Sequence, residues 1–196
     1  MIRPAMTTPA PYRAGLPEPV AAVPTTDPTG VDSGTFRRAF RRHAAGVAVL
    51  TLAGPGGPVG VTVTSLASLS LTPPLLSFAL ATASSCWPSF QGAGSFVVNL
   101  LAAGQEDLAG RFATRGVDRF AAPTRWTRLP TGEPVLDDVP VSLRCTVEHR
   151  IPVGDHHLVV GRVLAVTTRA ATAPLLYWDG AYTTVPEERR PDVDHG

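Results

Sequence analysis

The run Gly60-Val-Thr-Val-Thr-Ser-Leu-Ala-Ser-Leu-Ser-Leu-Thr-Pro-Pro-Leu75 is the most informative part of this chain. Val59 to Ser65 alternates β-branched residues and reads as a strand. Pro73-Pro74 bars a helix and opens an apolar run, Leu75 to Leu80, that reads as another strand. Hydroxyls stand at Thr62, Thr64, Ser65, Ser68 and Ser70 among small side chains. Small residues let a flat ring approach the backbone, and hydroxyls and free N–H groups bond its polar edge. Taken alone, the same composition describes any Thr/Ser-rich exposed sheet face.

The flanking segments extend the pattern. Thr35 is placed to N-cap a short helix through His43, with Phe36 and Phe40 on one face. Gly46 to Leu52 reads as a strand, and Gly54-Pro-Gly-Gly-Pro58 as a turn. Ser84 or Ser85 caps a helix to Gln91, and Phe96 to Leu100 is a strand. Glu106 to Ala113 has Leu108 and Phe112 at helical spacing. Val141 to Glu148 and Leu158 to Val166 are strands. Leu175 to Trp178 and Tyr182 to Val185 flank Asp179-Gly180, a hairpin dipeptide. Many short strands, Gly/Pro turns and few short helices predict a mainly β, closed or partly closed barrel rather than a doubly wound parallel sheet.

The chain has 196 residues, 44% hydrophobic and 17% charged, with net charge +1. That composition suits one globular domain and gives no cationic excess for nucleic acid or a membrane surface. All 17 basic side chains are Arg. A lysine Schiff base and a P-loop lysine are therefore excluded, and any phosphate must meet Arg, hydroxyl or backbone N–H. Cys86 and Cys145 have neither zinc nor disulfide-framework spacing, so two reduced thiols in a cytoplasmic protein and no metal site are expected. Residues 1–33 are rich in Pro, Ala and Thr without periodicity and read as a disordered leader, 34–185 as the folded domain, and 186–196 as a flexible tail.

The ordered set of short motifs is similar to the flavin reductase-like family. Its strand Gly-x-Thr-x-x-Ser, then Ser-Leu-x-Pro-Pro-Leu, matches Gly60 to Leu75. Phe36-Arg-x-x-Phe40, Gly46-Val-x-Val-Leu-Thr51, Ser84-Ser-Cys-Trp87 and Phe96-Val-Val-Asn-Leu-Leu101 match as well. So do Arg111-Phe112, Gly154-Asp-His156, Gly161-Arg-Val163 and Gly180-x-Tyr182. The resemblance implies an FMN-binding split β-barrel of Greek-key type with a few short flanking helices. It implies a homodimer that reduces FMN or FAD with NADH or NADPH and supplies a separate flavin-dependent monooxygenase.

On this resemblance Val61, Thr62, Thr64, Ser65 and Ala81 lie along the flavin ring or its ribityl chain. Ser85, Cys86, Arg111 and Phe112 meet its phosphate end, although the family has Ser or Thr where Cys86 stands. His156 orients the nicotinamide, and Tyr182 borders the site. Read without the resemblance, Ser85 is an ordinary cap, Arg111 a solvated helix-face residue, and Asp155-His156-His157 a polar turn. Adjacent strand residues point to opposite faces, which argues against metal binding by His156 and His157 together. No Gly-x-Gly-x-x-Gly or Gly-x-Ser-x-Gly is present. Two other readings stay open: a tight FMN flavoprotein serving another acceptor, and a flavin- or haem-binding carrier without NAD(P)H turnover.

Overall fold

The structure is a computed structural model that describes residues 30–169 and 172–185. The expected flexible tail, 186–196, and the expected leader up to residue 29 lie outside the described residues. The chain opens with α1 (Ser33–Phe40), β1 (Ala45–Gly46), β2 (Ala48–Gly54), β3 (Gly57–Val63), β4 (Ala67–Leu71) and β5 (Pro74–Ala81). Then come α2 (Trp87–Gly92), β6 (Ser95–Leu100) and α3 (Glu106–Ala113). It continues through β7 (Trp126–Arg128), β8 (Pro134–Leu136), β9 (Val141–Val153), β10 (His156–Thr168), β11 (Leu175–Trp178) and β12 (Ala181–Thr184).

Seven strands form one antiparallel sheet in the order β3-β2-β6-β9-β10-β5-β4. Its two edge strands, β3 and β4, are consecutive in sequence, joined only by residues 64–66. A flat sheet of this order would hold its edges roughly 29 Å apart, at ~4.8 Å per strand. The link from Val63 to Ala67 reaches at most about 14 Å. The sheet must therefore curl until its edges meet, and the result is a barrel left open along one seam. This agrees with the expected mainly β split barrel. Register shifts in the β9–β10 pairing, at Val160/Gly161 and Val163/Ala165, add local bend.

β2 explains why the Gly46 to Leu52 run is so apolar. Ala48, Leu50 and Leu52 face the barrel core with Phe78, Phe90, Phe96 and Val159. Val47 and Val49 face a second core outside it, with Ala109, Phe112, Leu136 and Leu175. Two glycines make room for rings. A Cβ on Gly161 would lie 2.5 Å from Phe96 Cζ, and one on Gly60 2.5 Å from Phe112 Cε1. Asn99 and Thr51 are fully buried between the cores yet satisfied. Asn99 Nδ2 donates to Val49 O (3.0 Å) and Thr51 Oγ1 (3.1 Å), and its Oδ1 accepts from Leu136 N (3.0 Å).

Several local expectations change. Asp32, not Thr35, caps α1, because its carboxylate accepts from both Gly34 N (2.9 Å) and Thr35 N (3.0 Å). Asp32 and Ser33, assigned to the leader, thus supply the cap and the first residue of the helix. The Ser68–Leu71 segment is a strand in its own right, obscured because Leu69 and Leu71 face outward, Leu71 at 87% exposure. β7 and β8 escaped notice as short strands, and β9 and β10 outrun their apolar patterns because their ends are exposed. The Asp179-Gly180 hairpin forms as expected, with both residues at positive φ.

Glu133 is almost completely buried against β9. Burial alone would raise its carboxyl above the ordinary 4.5, but donors from Ser95, Thr131 and Arg144 more than offset this and hold it at about 2. Arg144 Nη2 stands 3.0 Å from its Oε1. A carboxyl held low in the folded state stabilises the fold above its unfolded pKa and loses that contribution as pH falls toward its folded one. Wild-type protein should therefore lose on the order of 3 kcal/mol through this group between about pH 4.5 and 2. Urea unfolding at stepped pH should show a flatter profile for Glu133→Gln over that window; parallel profiles would refute the assignment.

Candidate functional site

The seam of the barrel is where backbone groups go unpaired. β3 bonds to a neighbour only on its β2 side, and β5 loses β4 as a partner beyond Ser77. A cavity of about 370 Å³ lies between these two free edges. Val61 to Ser65 line it from β3 and its exit, and Ala79 to Ala81 from β5. Ser84 and Ser85 approach from the loop before α2. His156 stands beside Ala81 across the β10–β5 pairing. Ala113, Arg115 and Arg119 complete the lining from the end of α3 and the loop after it.

The hydroxyls divide into builders and a free one. Thr62 Oγ1 donates to Ala109 O at 2.7 Å and ties β3 to α3. Ser65 Oγ donates to Ala79 O (3.1 Å) and accepts from Ala79 N (3.0 Å). That one side chain replaces the strand partner β5 has just lost and stitches the seam. The Thr64 hydroxyl makes no hydrogen bond among the described residues. Gly60 O, on the free edge of β3, accepts from Arg119 Nη1 at 2.9 Å. By strand alternation the N–H and C=O of Thr62 face the same free side and present a donor and an acceptor to the cavity.

Arg119 is the strut of the site. Besides Gly60 O, its guanidinium donates to Thr114 O through Nε (3.1 Å) and Nη2 (2.7 Å) and approaches Cys86 Sγ at 3.1 Å. It thereby ties the loop after α3 to the β3 edge and to the start of α2. Arg115 makes no hydrogen bond among the described residues, so its fork is available at the cavity wall. Cys86 is buried in the barrel core with its thiol toward Gly60 O (3.4 Å), so it closes the floor instead of presenting a donor.

His156 begins β10 and its side chain is 45% exposed. Its Nδ1 lies 2.6 Å from Asp155 Oδ1. A carboxylate only accepts, so Nδ1 carries the proton and Nε2 is left for a ligand. The hydrogen bond from His156, followed by its charge, lowers the Asp155 carboxyl below its ordinary value. His157 points to the opposite face and stacks on Trp87, ring centroids 3.7 Å apart.

The structure thus gathers Val61, Thr62, Thr64, Ser65, Ala81, Ser85 and His156 around one cavity. It places four expected residues elsewhere, the first being Cys86, which lies in the barrel core outside the cavity lining. Phe112 is fully buried, packed over Gly60. Arg111 lies one helical step round from Phe112 and lines a separate cavity of about 640 Å³ with Asp107, Leu108 and Thr114. Tyr182 packs on the outer core beside Tyr177. The larger cavity lacks the free strand edges and holds only Arg111 of the expected site residues, whereas the seam gathers seven, so the seam is the candidate site. Helical period would have separated Arg111 from Phe112. Arg115 and Arg119 had no signal beyond their place after the helix. Gly116, at φ +76°, lies in the bend that brings the chain back to the seam.

Comparison with known proteins finds relatives over most of the chain. The family profile described as flavin reductase like domain matches residues 40–186. An NADH:FMN oxidoreductase from Rhodococcus qingshengii is 48% identical over 171 residues, 85% of this chain and 88% of the relative. The reductase subunit of a flavin-dependent monooxygenase from Rhodococcus jostii is 35% identical over 170 residues, 84% of this chain and 87% of the relative. Among solved structures, an NADH:FAD oxidoreductase from Streptomyces globisporus C-1027, in complex with NAD and FAD fragments, superposes with a TM-score of 0.75 at 30% identity. That match covers 83% of this chain and 96% of the other.

The two adjacent hydroxyls at the seam should respond differently to removal. Ser65→Ala loses both bonds to Ala79 and should cost about 1–3 kcal/mol of stability, whereas Thr64→Ala should cost less than ~0.5 kcal/mol. Denaturant midpoints would check this, and equal losses would contradict the seam-stitching role of Ser65.

Proposed function

This chain belongs to the flavin reductase-like family, and from that premise we propose that it is an oxidoreductase passing a hydride from NADH to FMN. The reduced flavin then leaves for a separate flavin-dependent monooxygenase. The observation that carries the reading is the seam cavity, where strand-edge backbone, three serines, two arginines and one oriented histidine converge. Flavin fits that donor set. The Thr62 backbone and the free Thr64 hydroxyl would meet the polar edge of the ring. Arg115 and the Ser84–Ser85 turn would meet the phosphate, with Arg119 fixing the turn. When bound, flavin supplies the chemistry of accepting a hydride from reduced nicotinamide.

The protein's own work is placement. Asp155 holds the His156 ring by Nδ1, and Nε2 is left to orient the carboxamide of the donor. No strong acid or base is needed at the reacting atoms, and the lining holds none. Alignment of donor over acceptor is what such a site contributes to rate. The two free, buried thiols, Cys86 and Cys145, fit a cytoplasmic setting, with burial pushing Cys145 up to about 12. Among the described residues no helix is long and apolar enough to cross a membrane.

A homodimer is part of the proposal. Leu69 and Leu71 on β4, Ile151 and Val153 on β9, and Leu164 and Val166 on β10 all expose apolar side chains. Exposed apolar side chains of this kind suit contact with a second copy. Sedimentation should give twice the chain mass; a single-chain mass at micromolar concentration would refute it.

Anaerobic absorbance with NADH and excess FMN tests the activity. Flavin should bleach over many equivalents per chain. His156→Ala should lower kcat/KM for NADH about tenfold or more with FMN affinity kept, and Arg119→Ala should weaken FMN binding by a similar factor. Bleaching that stops at one bound equivalent would favour a tight flavoprotein with another acceptor. Flavin binding without any bleaching would leave a carrier.

A further inference from the structure

The two adjacent histidines at the start of β10 go to opposite faces. His156 lines the seam cavity. His157 lies instead on Trp87, with ring centroids 3.7 Å apart and planes only 14° from parallel. Hydride transfer makes no direct use of this contact. Trp87, however, is the first residue of α2, two positions beyond the Ser84–Ser85 turn that walls the cavity.

Residues 81–87 run past the seam as short turns. Ser84 N donates to Ala81 O (2.9 Å) and Trp87 N to Ser84 O (3.0 Å). Those bonds fix the shape of the segment but not its position, and no side-chain cap at Cys86 holds the start of α2. On the inner side the Cys86 thiol meets Gly60 O and Arg119. On the outer side the β9–β10 turn makes three contacts. Asp155 O accepts from Thr82 N at 3.0 Å. His157 Nδ1 lies 3.3 Å from Thr82 Oγ1. The His157 ring covers the Trp87 indole, which also belongs to the barrel core with Phe78 and Phe90. Thr82 and Trp87 bracket the two serines, so a half-buried ring that touches both fixes the span between them.

We propose that His157 is a positioning residue of the flavin site: by its stack on Trp87 it holds the Ser84–Ser85 turn where that turn meets the flavin phosphate. The inference rests on the reading above that places the phosphate at this turn. His157 itself touches neither flavin nor donor. Three successive residues then serve both ends of the site. Asp155 orients His156 for the donor, and His157 sets the turn for the phosphate.

Riboflavin keeps the ring and ribityl chain of FMN but lacks the phosphate, so the ratio of the two affinities reports on the turn. Both flavins are titrated, by quenching of their fluorescence, into wild type, His157→Ala, His157→Leu and His157→Phe. The FMN-to-riboflavin affinity ratio should fall about fivefold in His157→Ala and His157→Leu, and His157→Phe, which returns a flat ring to Trp87, should recover most of it. Riboflavin binding in the same titrations checks that the variants are folded. A ratio unchanged in His157→Ala, even with both flavins weakened together, would overturn the assignment. So would a ratio that leucine restores as well as phenylalanine, because bulk alone would then suffice. A wild type without preference for FMN over riboflavin would remove the phosphate from the turn, and this role of His157 with it. Binding is read without turnover, so a wild type that binds FMN but does not reduce it with NADH would sink the reductase reading and leave the positioning role standing.

Discussion

Residues 64–66 must bridge the two edges of a seven-stranded sheet, and most of this molecule follows from that constraint. So short a connection forces the sheet to curl. Curling brings β3 and β5 close without letting them pair. The opening between them therefore leaves strand-edge donors and acceptors without a neighbouring strand. Buried or half-buried polar groups require partners, and a ligand supplies them as well as a strand would. The binding cavity is thus a consequence of closing the barrel imperfectly.

The same constraint divides the labour among hydroxyls that look alike in the sequence. Ser65 is consumed in holding β5, and Thr62 in holding α3. Thr64 is left with its hydroxyl unengaged among the described residues, and it lines the seam cavity. Arg119 extends this economy of parts. One guanidinium bonds the β3 edge, the end of α3 and the start of α2, so the cavity wall is assembled around it. The cavity wall is held by these few long-range bonds and by Phe112 packed closely against Gly60.

A site of this kind suits a reaction whose bond changes occur between two bound partners. Such a site offers shape, a histidine held by Asp155 and two arginines at its wall, and a bound cofactor would carry the electron chemistry. The same economy is compatible with a sequence that carries neither a Gly-x-Ser-x-Gly elbow nor a Gly-x-Gly-x-x-Gly loop.

The sequence by itself determined the barrel class. Its short β-branched runs, the Gly/Pro turns and the Asp179-Gly180 hairpin are local signals, governed by φ restrictions and period-two burial. It also placed β3, β5, α3 and His156 close to where they stand, because the ordered motifs tie those positions to one family. The tertiary structure decided which groups meet. Arg111 and Phe112 are neighbours in the chain but lie one helical step apart, so one faces a side cavity and the other the core. Arg115 stands just past the end of α3, and Arg119 meets the seam after the chain passes Gly116 at positive φ. Whether Thr62 and Ser65 offer their hydroxyls to a ligand or to a carbonyl depends on Ala109 and Ala79, residues 47 and 14 positions away. Local pattern cannot carry that information, because a hydrogen bond across the fold is set by how the sheet closes and not by the residues beside it.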